Sequence, residues 1–150
     1  MRIAEVLDLI ERDRSLHMTG EPASEPELDH LEAALGVKLP DEFRALLARL
    51  GGSILYERHE VFGVRRLMVH DIELVPDLLS FRNQRARSGG AEPKQALVPF
   101  HRADGVVSLL DLREGAEPAV VSEDGARSYP SLACFLERAV LPARDPPRGP

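Results

Sequence analysis

The chain has 150 residues, of which 43% are hydrophobic, and its 25 acidic and 19 basic side chains give a formal net charge of -6. This length and composition predict one globular domain with its own core, and the acidic balance argues against a nucleic-acid partner, which would need a basic surface. The single cysteine, Cys134, excludes an intramolecular disulfide and a cysteine-based zinc site.

The N-terminal segment is predicted to be a helix over about residues 2–13. Its apolar stripe has helical spacing and consists of Ile3, Val6, Leu7 and Ile10. Acidic residues interrupt this segment where a signal peptide would be continuously apolar, and no stretch approaches about 18 consecutive apolar residues. We therefore expect a cytoplasmic protein that does not contact a membrane. Residues 14–23 are predicted to form a loop.

Two further amphipathic helices are predicted between residues 24 and 50. Ser24 and Glu27 fit a capping box that starts the first of them. Gly36 can adopt the left-handed conformation that ends this helix, and Pro40 suits the start of the next one. Gly51-Gly52 is predicted to end the second helix, so the two helices are separate.

The rest of the chain is predicted to contain the strands and the last helices. Short strands are expected at 53–58, 60–64, 65–70, 96–100, 106–112 and 119–122, and the 106–112 strand is apolar enough to be covered on both faces. A helix is expected within 72–88, ended by Gly89-Gly90, and Ser131 is predicted to cap a final helix. This order predicts a single α+β domain over residues 1–141, with a mostly antiparallel sheet and helices gathered on one side. The proline-rich residues 142–150 are expected to be a disordered tail.

Several short motifs occur in the order in which a known family has them. They are Leu35-Gly36, Leu39-Pro40, the acidic pair Asp41-Glu42 with Phe43, Gly51-Gly52, Phe62-Gly63-Val64, Leu97-Val98-Pro99-Phe100 with Asp104-Gly105, and Ser131-Leu132 with Phe135-Leu136. With these motifs the chain resembles the SMI1/KNR4 family, also called the SUKH superfamily. It departs from the family pattern at Gly51, where asparagine is usual, and at Leu132, where phenylalanine is usual.

The resemblance implies a SUKH-like fold and a role in binding another protein. Bacterial members of this family are mostly immunity proteins of polymorphic toxin systems, which bind and neutralise a cognate toxin, often a nuclease. Eukaryotic members act as regulatory scaffolds, and a scaffolding module with a cellular partner is the alternative for this chain. We expect a bacterial immunity protein that is not an enzyme, whose partner is a toxin, and which uses no cofactor, metal or nucleic acid.

Three histidines have acidic neighbours that an enzyme could use. His70-Asp71 resembles the metal-binding dipeptide of HD-type hydrolases, but no further ligands have suitable spacing. His59-Glu60 and His101 with Asp104 have the residue types of acid–base pairs, yet we interpret these residues as exposed loop residues. Cys134 has apolar neighbours and is interpreted as part of the core. A hydrolase built on these histidines is the enzymatic hypothesis, and the sequence favours it least.

The partner-binding surface is predicted from acidic residues in strands and turns. These residues are Glu57, Glu60, Asp71, Glu73, Asp77, Asp104, Glu123 and Asp124, with Tyr56 and Phe62 as aromatic anchors. If they lie on one face, they would occupy the cationic cleft of a nuclease in place of phosphate, and their attraction to it would raise the association rate of the two proteins. The alternative interpretation is that the charges are scattered over the surface and the aromatic side chains belong to the core.

Overall fold

The structure is a computed structural model that describes residues 1–88, 96–113 and 119–144. Five α-helices are present in this part of the chain: α1 Ile3–Arg12, α2 Glu25–Leu35, α3 Asp41–Leu50, α4 Leu78–Ser88 and α5 Leu132–Phe135. Its strands are β1 Met18–Thr19, β2 Ser53–Leu55, β3 His59–Val61, β4 Leu67–Val69, β5 Ile72–Val75, β6 Leu97–Ala103, β7 Val106–Asp111, β8 Ala119–Ser122 and β9 Ser128–Tyr129.

The strands form a seven-stranded sheet and a separate two-stranded ribbon. The order in the large sheet is β1-β2-β3-β6-β7-β8-β9, and β4 pairs with β5 in the ribbon. Every strand pair among the described residues is antiparallel. The predicted α+β domain with a mostly antiparallel sheet is therefore confirmed.

The helix boundaries follow the local signals that predicted them. The Ser24 side chain accepts a hydrogen bond from the Glu27 amide, and the Glu27 carboxylate accepts one from the Ser24 amide, which completes the capping box. Gly36 has φ 75° and ends α2 in the left-handed conformation. Ser131 caps α5 by accepting a hydrogen bond from the Cys134 amide.

Aromatic and leucine side chains join the helices to the sheet. Phe100 lies on β6 and contacts Phe43 of α3 and Phe135 of α5, with ring centroids 5.7 and 5.4 Å apart and the rings edge to face. Helices α1, α3 and α5 contact one another, so the first and last helices belong to one layer. Burial of these side chains removes apolar surface from water and is the main driving force for folding.

The structure differs from the predicted elements in several places. Residues 72–75 are the strand β5 and not the start of a helix, because Leu67–Val69 pairs with them before α4 begins. Residues 18–19, predicted to lie in a loop, form β1 on the edge of the large sheet. The strands predicted at 53–58 and 60–64 are shorter, since a tight turn at residues 56–58 separates β2 from β3.

The C-terminal helix continues from α5 through a π-type turn at Leu136–Val140 and a 3-10 turn at Leu141–Arg144. Residues 142–144 of the predicted tail belong to this last turn. The other tail residues, 145–150, and the predicted helix end at Gly89-Gly90 lie outside the described residues.

Candidate functional site

Three turns meet at one end of the large sheet, and we call residues 56–58, 104–105 and 123–127 the three-turn surface. Strand register brings them together. Glu60 pairs with Arg102, so the start of β3 lies beside the end of β6. The β6–β7 turn and the β8–β9 turn leave the sheet at this same end. Arg58 of the first turn bonds Asp104 of the second, with Arg58 Nε donating to Asp104 Oδ2 at 2.8 Å. Four of the predicted acidic residues lie on this surface: Glu57, Asp104, Glu123 and Asp124.

The first of these turns is held in a strained conformation. Tyr56 and Glu57 have φ of 52° and 57°, in the left-handed region that residues with a Cβ rarely adopt. Tyr56 Oη donates to Asp13 Oδ2 at 2.8 Å, and the Tyr56 amide donates to His17 Nδ1 at 3.0 Å. Because these bonds anchor Tyr56, the turn presents the exposed Glu57 in a defined position.

The three-turn surface carries both signs of charge. Asp104 is paired with Arg58, and Glu123 is paired with Arg85 of α4. Asp124 accepts hydrogen bonds from Ser122 Oγ at 2.6 Å and from the Ala126 amide at 2.9 Å, so its carboxylate holds the β8–β9 turn. The surface is therefore a mixed set of exposed charges, and Glu57 lies among them.

A pocket of about 350 Å³ lies beneath this surface, between the sheet and the last helix. Its lining includes three buried polar side chains, His59, His101 and Ser108, which are only 4, 4 and 7% exposed. His59 Nδ1 lies 2.8 Å from His101 Nε2, and His101 Nδ1 lies 3.1 Å from Ser108 Oγ. These contacts form one hydrogen-bonded chain across β3, β6 and β7.

Burial keeps both imidazoles of this chain neutral. The pKa of His59 is lowered to about 4, mainly by desolvation and also by the nearby Arg58 guanidinium, while Asp104 opposes the change. Desolvation also lowers the pKa of His101 to about 3, with a smaller contribution from His59. A neutral pair is required here, because two imidazolium rings this close together would repel each other.

The other predicted partner-binding residues lie elsewhere. Glu60 forms an ion pair with Arg102 through two hydrogen bonds. The side chains of Asp71 and Glu73 are exposed on the β4–β5 ribbon. Asp77 accepts a hydrogen bond from the Ser80 amide at the start of α4.

Tyr56 and Phe62 are 7 and 0% exposed. Neither can serve as an exposed aromatic anchor, because Tyr56 anchors its own turn and the Phe62 ring stacks on that of Phe81.

The interpretation of His59 and His101 as exposed loop residues is wrong, because each lies on a strand with its side chain in the interior. The signal for His101 was available in the sequence. Asp104-Gly105 is a two-residue hairpin turn, which extends the preceding strand through His101 to Ala103. Sequence reasoning also missed Arg58 and Arg127, whose place beside the pocket depends on tertiary structure.

Much of the acidic excess lies away from the three-turn surface. Residues 1–50 hold 11 acidic and 6 basic side chains. On α2, the carboxylates of Glu25, Asp29 and Glu32 all bond Arg44 of α3. These charges stabilise the contact between the two helices and add to the negative field of the protein.

Two further findings concern ligands and membranes. Within residues 1–88, 96–113 and 119–144, no three side chains of histidine, cysteine, aspartate or glutamate come close enough to hold a metal ion. His70 is exposed at the ribbon turn, with φ 49°. None of the helices in the described part of the chain has the length and hydropathy needed to span a bilayer.

The comparisons with known proteins identify the fold. A model of the SMI1/KNR4 family (SUKH-1) matches residues 22–138. A crystal structure of a protein from Pseudomonas syringae pv. tomato superimposes with a TM-score of 0.66 at 16% identity, covering 91% of this chain and 96% of that chain. The search of curated proteins finds no match.

Proposed function

We propose that this chain, which belongs to the SMI1/KNR4 family (SUKH-1), is an immunity protein that binds a cognate bacterial toxin and neutralises it. The observation that carries this proposal is the family match, which extends from residue 22 to residue 138 and so includes α2 to α5. The family includes immunity proteins. Neutralisation would follow from stoichiometric binding that covers the toxin's active cleft, without any covalent step.

The three-turn surface is the part of the molecule that we propose for toxin binding. A rigid surface loses less conformational entropy on binding than a flexible one, and the Tyr56 contacts hold its first turn in place. Exposed Glu57 and Asp124, together with the net charge of -6, would attract a cationic cleft such as that of a nuclease. Glu60, Asp71, Glu73 and Asp77 lie outside this surface and remain proposed contacts of a larger interface.

The genomic neighbour of this chain provides the direct test. We expect an adjacent gene to encode a toxin whose expression stops growth, and co-expression of this chain to restore growth. The purified pair should elute as one stoichiometric complex. Continued growth arrest, despite equal amounts of both soluble proteins, would contradict the proposal and would favour the scaffolding alternative with a cellular partner.

The proposed surface is tested by association kinetics with that toxin. Glu57→Lys should slow association several-fold at low salt, and the effect should shrink at about 0.5 M salt, where charges are screened. Glu5→Lys is the matched control, because Glu5 is exposed on α1 and the substitution changes the net charge equally. Equal rates for the two variants would show that attraction is not centred on the three-turn surface.

A further inference from the structure

We propose that the pocket beneath the three-turn surface receives a tyrosine side chain of the partner protein, whose hydroxyl bonds His59 Nε2. This inference rests on the proposed function and deepens it, because it names the chemistry of the residue that the toxin inserts. The observation that motivates it is a buried polar atom that lacks a hydrogen-bond partner in the described part of the chain.

His59 Nε2 is buried, and no hydrogen-bond partner for it exists among the described residues. The other ring nitrogen of this histidine, Nδ1, is hydrogen-bonded to His101 Nε2. A buried polar atom without a partner costs free energy comparable to a lost hydrogen bond, so such atoms are rare in folded proteins. Because His59 lines the pocket, a group that enters the pocket can supply the missing bond.

The hydrogen-bonded chain limits which group this is. If His59 Nδ1 donates to His101, then His101 donates to Ser108 Oγ, and His59 Nε2 is an acceptor. If Ser108 donates instead, the direction of each bond reverses and His59 Nε2 becomes a donor. A hydroxyl satisfies either state because it both donates and accepts. A carboxylate fits only the second state, and an ammonium group fits only the first.

The pocket walls favour an aromatic hydroxyl. The rings of Tyr129 and Phe135 line the pocket, and their edge-to-face arrangement, with centroids 5.3 Å apart, is the one that aromatic groups prefer. Two basic and two acidic side chains line the pocket, so their charges balance: Arg58, Arg127, Asp104 and Asp124. A volume of about 350 Å³ accommodates one ring. Tyrosine combines the ring with the hydroxyl, and it is frequent among the residues that dominate binding at protein interfaces.

The test uses p-cresol, the analogue of a tyrosine side chain, with the full-length protein. We expect p-cresol to shift the NMR signals of the His59 ring nitrogens and of the pocket residues in a saturable way, with a dissociation constant on the order of 1 mM. Toluene lacks the hydroxyl and should bind about tenfold more weakly. Equal binding of the two probes would overturn the role of His59, and no saturable shift with p-cresol would overturn the pocket assignment.

Two matched variants locate the binding. Val106→Trp places a large side chain at the pocket mouth, and Val106 is 38% exposed, so the core is not disturbed. Met68→Trp is the control on the β4–β5 ribbon, where Met68 is 41% exposed. We expect Val106→Trp to abolish p-cresol binding and Met68→Trp to leave it unchanged. Retention of binding in Val106→Trp would place the cresol outside the pocket.

The outcome for the pocket is separate from the outcome for the proposed function. Growth rescue by the wild-type chain tests toxin neutralisation without reference to the pocket. If rescue succeeds and p-cresol fails to bind, only the tyrosine inference is lost. If rescue fails while p-cresol binds with the expected preference over toluene, the pocket is a hydroxyl-aromatic site whose partner is not a toxin.

Discussion

The buried histidine pair makes the stability of this protein depend on pH. Burial lowers the pKa of His59 to about 4 and of His101 to about 3, whereas both groups have a pKa of about 6.5 in the unfolded chain. Below pH 6.5 the unfolded state therefore binds protons that the folded state does not. By linkage, the stability that the neutral pair provides is fully present above pH 6.5 and is lost as the pH falls toward 4.

The size of the effect follows from these values. At pH 5 an unfolded histidine is almost fully protonated, and each buried histidine then lowers the free energy of unfolding by about 2 kcal/mol relative to pH 7.5. The two together lower it by about 4 kcal/mol, which is a large part of the stability of an ordinary domain.

Urea unfolding at pH 7.5, 6.5, 5.5 and 5.0 measures this dependence. The double variant His59→Leu/His101→Leu leaves Ser108 Oγ without its partner, which changes its stability in a way that does not depend on pH, so the readout is the slope of stability against pH and not its absolute value. We expect the slope to fall sharply in the double variant and to stay unchanged in His70→Gln, whose histidine is exposed. Equal slopes for wild type and the double variant would refute the reasoning.

Three substitutions test the geometry of the turns and close contacts by urea unfolding. Glu57→Gly should stabilise the chain by about 1 kcal/mol, because glycine adopts φ near 57° without strain, and a loss of stability would contradict that account. Tyr56→Phe should cost about 1 kcal/mol by removing the bond to Asp13, and no loss would show that packing alone holds the turn. Gly63→Ala should lower the free energy of unfolding by more than about 2 kcal/mol, because the new Cβ would lie 2.5 Å from a backbone nitrogen. Gly105→Ala is the control: its new Cβ meets nothing within 4 Å, and it should lower the free energy of unfolding by only about 1 kcal/mol.

Local chemistry made much of the fold predictable from the sequence. The capping box at Ser24, the left-handed Gly36 and the hairpin turn at Asp104-Gly105 act through residues close to one another in the chain. The alternation and spacing of apolar residues likewise predicted the α+β class, and the ordered family motifs identified the family. The helix predicted within residues 72–88 begins only at Leu78, because strand pairing of residues 72–75 with Leu67–Val69 outweighs local preference.

The candidate site depended on contacts between distant residues. His59 and His101 are 42 positions apart, and only the pairing of β3 with β6 makes them one buried chain with Ser108. Register across the sheet also brought three of the turns to one end. The sequence by itself determined the class, the helix ends that carry a capping signal and the family. Tertiary structure alone decided which side chains meet, because strand register and burial arise from long-range packing, which local spacing does not encode.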